Sequence, residues 1–495
     1  MKEYALALFN LFLAVSVSAQ SLNKPTFQLD TPAPSTRMGG NGISVLQVQE
    51  TDNNTFIWIG TGGGVSRLDP LTNEWRTYNR KHGLGLGGVS AIAVEGDVIW
   101  AATVFDSTIG DADHQVGGGL VFSLNGGEDW KYVPQPWETP VDNTTWDIGI
   151  DDTTVWITSF GSGLMKSTDW RRDDWLSDSV QPTFKIRPPD EYNFDPKNLI
   201  NHRAFSVLIA DDIIWVGTAG GINKSLDGGE TWVNFNHQNQ AEPISGNWVL
   251  AIAQQKWDDH NIIWASTMET SSESEDYTEY RGISKSEDGG YSWKVYLEGI
   301  RVENFAFDDS VVYACTEYGL FKSLDGGENW AVFPPIVDRS GDVRILSEAV
   351  YSAAVTDGHV LWAGAGDGLA KSSDNGLTWD VMRAFVPTGK SGEPRTYAYP
   401  NPFSPMRHNQ IGSDGYIRFQ YDTINNTNVT IRVFDFAMEL VATVVENKSR
   451  PAGGDFAEIW NGRTSKGDLL ANGPYFYQLV LDGDGTYWGK ILILD

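Results

Sequence analysis

Carboxylates and aromatic rings are the side chains in this sequence whose spacing could support chemistry. The stretch VFDSTIGDADHQVGG (104–118) holds Asp106, Asp111, Asp113 and His114, and Asp147 follows. Two carboxylates about 6.5–9.5 Å apart across a cleft make an inverting glycosidase, so these four aspartates are the catalytic candidates. A second stretch, METSSESEDYTEYRG (268–282), carries Glu275, Asp276, Tyr277 and Tyr280. With Trp137, Trp146, Tyr192 and Trp248, the two tyrosines form the candidate ligand-binding set, because rings with a polar edge suit a sugar or a peptide. Other chemistries lack their residues. The seven histidines (82, 114, 202, 237, 260, 359 and 408) are scattered without an H-E-x-x-H, and no Walker or dinucleotide-binding fingerprint occurs. The single cysteine, Cys315, rules out an internal disulfide and a multi-cysteine metal site. No metal or cofactor is expected.

The elements that must position these residues are repeats. An apolar-apolar-aromatic-small-small phrase recurs seven times, marked by Trp58, Trp100, Trp156, Trp215, Trp264, Tyr313 and Trp362. A second marker follows each, at Trp75, Trp130, Trp175, Trp232, Trp293, Trp330 and Trp379. Each copy reads as four short strands, A to D; in the fourth these are 205–210, 213–218, 221–225 and 231–235. Alternating β-branched runs between Gly/Asp turns are strand signals, with no helical stripe competing. Seven four-stranded units predict a seven-bladed β-propeller. Cys315 takes the small slot of strand B that Gly60 and Ala102 take in other copies, and reads as core filler.

Five copies carry a related turn between strands C and D: SLNGGEDW, SLDGGETW, SEDGGYSW, SLDGGENW and SSDNGLTW. This turn resembles the Asp-box, S-x-D-x-G-x-T-W, of BNR-type propellers, with its aspartate at Asp227, Asp288, Asp325 and Asp374. The first copy, SRLDPLTNEW, is similar to the two-component-regulator propeller repeat. Asp-boxes are structural: the carboxylate bonds backbone N–H groups and glycines supply positive φ. A calcium reading fails on loop spacing and the missing terminal Glu. The resemblance extends to sialidases and xyloglucanase-type glycoside hydrolases. A sialidase, however, has six blades and an Arg-Ile-Pro motif before its first Asp-box. Here the nearest string, FKIRPP (184–189), follows the third repeat.

After a Pro/Gly/Ser linker the pattern changes to YAYPNPF (397–403), Trp460-Asn461-Gly462, Gly473-Pro474-Tyr475 and Gly489-Lys490. These motifs resemble the FlgD-like immunoglobulin-like module and the related C-terminal sorting domain of type IX secretion. The resemblance implies a small β-sandwich serving export or attachment at the surface of a Gram-negative bacterium.

Alternating strand direction sends the A–B and C–D loops to one face and the B–C and D–A loops to the other. Both long insertions are B–C loops, and the D–A connections at 131–145, 176–203, 236–247 and 334–347 are long as well. Long loops concentrate function, so that face is the expected binding face.

The chain has 495 residues and a formal net charge of −29, which excludes a nucleic-acid partner and docking on anionic lipid. Lys2, an apolar run and Val17-Ser18-Ala19 make a signal peptide, and no later run is long enough to span a membrane. The organisation expected is a signal peptide (1–19), a lead-in (20–42), a propeller (43–386), a linker (387–396) and a sandwich (397–495). The function expected is a secreted or cell-surface protein that binds an extracellular glycan or protein on its insertion-bearing face. The secretion machinery would engage its C-terminal module. A glycoside hydrolase using carboxylates of the same face is the alternative.

Overall fold

The computed structural model describes residues 33–51, 54–109, 112–136, 143–171, 182–186, 194–270, 279–341, 343–385, 388, 394–408 and 414–495. The signal peptide, Asp111, Trp137, Trp175, Tyr192, Glu275, Asp276 and Tyr277 lie outside them. The protein is all-β, with no α-helix among the described residues, and no helix there is long and apolar enough to cross a membrane. Pro34–Asp495 form one compact unit.

Seven four-stranded antiparallel sheets, each of consecutive strands, make seven blades. Blade 4 has strand A at Ala204–Ala210, B at Ile213–Thr218, C at Gly221–Ser225 and D at Val233–Phe235. Each A strand lies beside the A strands of both neighbouring blades, and strand A of blade 7 returns to that of blade 1, so the ring closes. No outer strand is exchanged to close it. Instead the lead-in straps the ends together: Ser35 pairs with Thr77 in blade 1, while Asn41 donates to Ala384 O (3.1 Å) and accepts from Ala384 N (2.6 Å) after blade 7.

The strand-B tryptophans are fully buried and belong to the joints between blades. Trp232 of blade 4 meets Trp156 of blade 3 edge-on at 6.3 Å, and Trp330 of blade 6 meets Trp264 of blade 5 at 6.2 Å. A cation on strand C completes the joint. Lys166 donates to Gly228 O in the next blade (2.9 Å) with its ammonium 4.9 Å from the Trp156 ring. Lys224, Lys322 and Arg67 do the same toward Gly289, Asn375 and Gly126. Cation–π contact and a charge-assisted bond thus hold adjacent sheets in register.

In the turn of blade 4, Asp227 accepts from Thr231 Oγ1 (2.6 Å), Thr231 N (2.8 Å), Glu230 N (3.0 Å) and Ser225 Oγ (2.8 Å). These bonds favour the ionised form. They hold the carboxyl at about 2, the Thr231 hydroxyl contributing most; Asp325 and Asp374 are held at about 2 in the same way, through Asn329 and Thr378. A pKa below the unfolded value of about 3.9 stabilises the fold above that pH, and the contribution is lost as pH falls through 2. The melting temperature should therefore drop between pH 4 and 2. A triple variant (Asp227→Asn, Asp325→Asn, Asp374→Asn) should drop less, and coincident profiles would contradict this.

Blade 3 departs from the sequence reading. Its strand D is Lys185–Ile186, beyond Trp175, and Trp170 stands edge-on to Trp100 at 5.8 Å, where the other blades use their second marker. The D–A connection of blade 3 therefore begins after Ile186 and not at 176, and the chain between Ser167 and Lys185 connects strands C and D.

The C-terminal module is two packed sheets. One is Thr396–Tyr399, Ile417–Asp422 and Asp455–Trp460; the other is Leu440–Arg450, Thr427–Phe434, Gly473–Leu481 and Gly485–Ile493. Phe403, Phe419, Tyr477 and Ile491 fill the space between them. It is joined to blade 7 by a buried cluster. Asp367, in the B–C turn, accepts from Arg383 Nη1 (2.7 Å) and from Arg418 Nη2 (2.5 Å) of the sandwich.

Candidate functional site

The seven A strands surround a central cavity of about 910 Å³. Every A strand carries one extra residue near its start, where pairing with strand B shifts register. A bulge re-aims the side chain it inserts. The seven residues are Ser44, Ser90, Trp146, Phe205, Leu250, Glu303 and Tyr351, and all line the cavity. Because strand A begins at the D–A loop, this ring sits at the mouth that opens on the face bearing both long B–C insertions. Trp146 and Tyr351 are 38% and 40% exposed, while Phe205 is buried.

The residue after the bulge works for the wall. The Asp147 carboxylate accepts from Ile148 N and, across to blade 4, from Val207 N, both at 2.9 Å. Ser352 Oγ accepts from Leu46 N of blade 1 (3.0 Å); in blade 1 the bulge residue itself does this work, Ser44 Oγ donating to Val89 O of blade 2 (2.7 Å). Burial outweighs the two amide donors and pushes Asp147 up to about 7. Its oxygens are engaged in joining blades 3 and 4.

Trp248 stacks beside Phe205 (5.2 Å) and Phe160 (6.4 Å), with the Arg203 guanidinium 5.0 Å from the Phe160 ring. The cluster joins blades 3, 4 and 5 next to Trp146, and the Trp248 indole N–H is buried without an acceptor. The blade 2 insertion is a hairpin arm: strands Val98–Ile109 and Ala112–Ser123 stay paired out to Ile109 and Ala112. Asp106 and Asp113 are exposed on it, Asp113 accepting from Thr108 Oγ1 (2.7 Å); neither lines the cavity. At the base of the blade 5 insertion Tyr280 N donates to Ser245 O (2.9 Å), and burial raises its phenol. Beside it the Glu279 carboxylate accepts from Asn247 Nδ2 (2.7 Å), Gln238 Nε2 (2.9 Å) and Thr270 N (2.9 Å), tying the insertion to the preceding D–A loop.

Glu303 is the acidic residue among the seven bulges, lining the cavity as Asp147 also does, and sequence reasoning passed over it. Burial raises its carboxyl, Arg301 at 3.0 Å opposes the shift, and Glu317 adds to it. Glu317 accepts from Arg301 N (3.1 Å) and lies 3.9 Å from Arg281, which also pairs with Glu269 (3.1 Å). A charge ladder therefore runs from the blade 5 insertion to the mouth. Among the described residues, no group of three or more His, Cys, Asp or Glu is arranged to hold a metal ion.

No protein-family model and no curated protein matches the sequence. In fold the chain is similar to solved β-propellers. A GH74 enzyme of Niastella koreensis is 13% identical with a TM-score of 0.52, over 94% of this chain and 75% of that one. An ancestral GH74 enzyme is 15% identical with a TM-score of 0.51, over 93% and 63%. PorZ, an essential bacterial surface component of the type-IX secretion system of Porphyromonas gingivalis, is 13% identical with a TM-score of 0.34, over 90% and 65%. The chain thus spans about two thirds of the length of PorZ and of the ancestral enzyme. At these identities what is shared with the two GH74 enzymes is the fold.

The bulge positions themselves are readable in hindsight. Each is the second or third residue of strand A, in runs such as Ile43-Ser44-Val45 and Val302-Glu303-Asn304. Six of the seven aligned copies show a polar or aromatic residue there, Leu250 being the exception, at a position where simple alternation leaves no reason for them.

Proposed function

We propose that this chain is a secreted or cell-surface binding protein whose propeller takes an extracellular glycan or protein at the mouth ringed by the seven bulges. The C-terminal immunoglobulin-like module serves export or attachment through the secretion machinery. The observation that carries this reading is the re-aiming of Trp146, Phe205 and Tyr351 into one rim, with Trp248 behind it. Aromatic rims of this kind bury a ligand's apolar face while polar neighbours fix its orientation.

The test is a screen of the purified full chain on immobilised glycans and extracellular-protein peptides. Aromatic anchors typically contribute 2 kcal/mol or more, so Trp146→Ala and Tyr351→Ala should each weaken binding of any hit about thirty-fold. Hits indifferent to both variants would overturn the reading.

Glu303 favours a second reading. A half-buried carboxyl on the cavity wall, raised by burial and by Glu317 against the opposing Arg301, has the character of a general acid in glycoside hydrolysis. Release of reducing ends from a glycan, abolished by Glu303→Gln with binding retained, would select hydrolysis over binding alone.

A further inference from the structure

A second cavity, about 320 Å³, opens on the same face between the B–C turn of blade 6 and the D–A connection into blade 7. Leu320, Phe333, Pro334 and Ile345 give it apolar walls, and Tyr318, 59% exposed, stands at its rim. At roughly 30 Å³ per water it has room for about ten waters, or one large side chain with its backbone. Half-buried Arg344, Ser347 and the exposed Glu348 also line it. The Arg344 Nε is buried with no hydrogen-bond partner. An unpaired buried donor is costly, and a guanidinium fork in an apolar pocket matches a carboxylate bidentately.

Backbone hydrogen bonds tie the loop that presents Arg344. Ile345 N donates to Ile336 O (3.1 Å) and Asp338 N to Val343 O (2.7 Å), closing it as a hairpin. From behind, Arg418 of the sandwich donates to Arg344 O (2.5 Å), and Leu346 N donates to Asp367 (2.9 Å). The docked sandwich therefore braces the pocket's outer wall.

We propose that this pocket is a second binding site, separate from the channel mouth, that takes an apolar group ending in a carboxylate. Two sources carry that chemistry: a small aromatic or aliphatic acid, and the C-terminal residue of a peptide. Ligand-observed NMR on the full chain tests it with two pairs of probes. One pair is 3-phenylpropionate and its primary amide; the other is a tetrapeptide ending in Phe with a free or an amidated C-terminus. Saturable binding of at least one acid is expected, its amide binding at least ten-fold more weakly. Arg344→Met should remove that difference, and Arg344→Lys should restore part of it. The peptide pair alone responding identifies a chain terminus, and the small acid responding identifies a free acid. No saturation by either acid, or equal binding of acid and amide, overturns the proposal on the unmodified protein, whatever the variants do. A mouth ligand should bind Arg344→Met as it binds the parent, so failure here and failure at the mouth are separable.

Discussion

Asp367→Ala is expected to cost about 3–5 kcal/mol, the range for removing one partner of a buried ionic cluster. Asp367 is the only carboxylate between two guanidiniums, and its side chain and those of Arg383 and Arg418 are all 1–2% exposed. Deleting it leaves two cations facing each other out of water, and removes the acceptor for Leu346 N as well. Arg418→Met should cost much less, because Arg383 and Asp367 remain as a neutral pair and Met fills the aliphatic volume of the lost stem. The ordering can be read from urea unfolding of the full chain, with sandwich release followed by the fluorescence of Trp460 and Trp488. Equal costs for the two variants would mean that the cluster adds nothing beyond packing, and that the sandwich is held elsewhere.

That cluster was invisible in the sequence for a physical reason. Asp367 and Arg418 are 51 residues apart, in a turn and a strand that each look ordinary, and only docking brings them together. The blades were legible because their joints are local: a strand-B aromatic, a strand-C cation and a Gly-Gly turn recur at short, repeated spacings. Blade 3 misled because STDWRRDDW offers two tryptophans for one slot, and burial selects Trp170, which a count of spacings does not favour. The candidate site was legible only in part. Attention went to the insertions, where Asp106 and Asp113 turn out to decorate an arm. Trp146 was named for its aromatic ring, whereas Glu303, at the equivalent position of blade 6, reveals its aim only through the register shift of its blade.

Gly327→Ala is expected to destabilise the ring by about 3 kcal/mol, and Gly326→Ala by no more than about 2 kcal/mol. Both glycines have positive φ, 93° and 68°, so either alanine carries a left-handed penalty of about 1–2 kcal/mol. They differ in what a Cβ would meet. At Gly327 it falls 2.2 Å from Cη2 of Trp264, a fully buried ring at the joint of blades 5 and 6; at Gly326 the nearest atom is 3.4 Å away, on Trp257. Trp264 has little room to retreat, being bonded through Nε1 to Gln255 (2.9 Å) and edged by Trp330. The overlap therefore adds an overpacking cost of about 1–3 kcal/mol. The same joint carries the Arg281–Glu317 contact at the mouth, so blades pried apart at Trp264 would also disturb the charge ladder that ends on Glu303. Thermal melts of the two single variants, with mouth-ligand binding measured below the melting transition, separate these consequences. Equal melting temperatures would show that the second glycine serves backbone conformation alone. A lower melting temperature for Gly327→Ala together with weakened binding would tie the wedge between blades to the shape of the mouth.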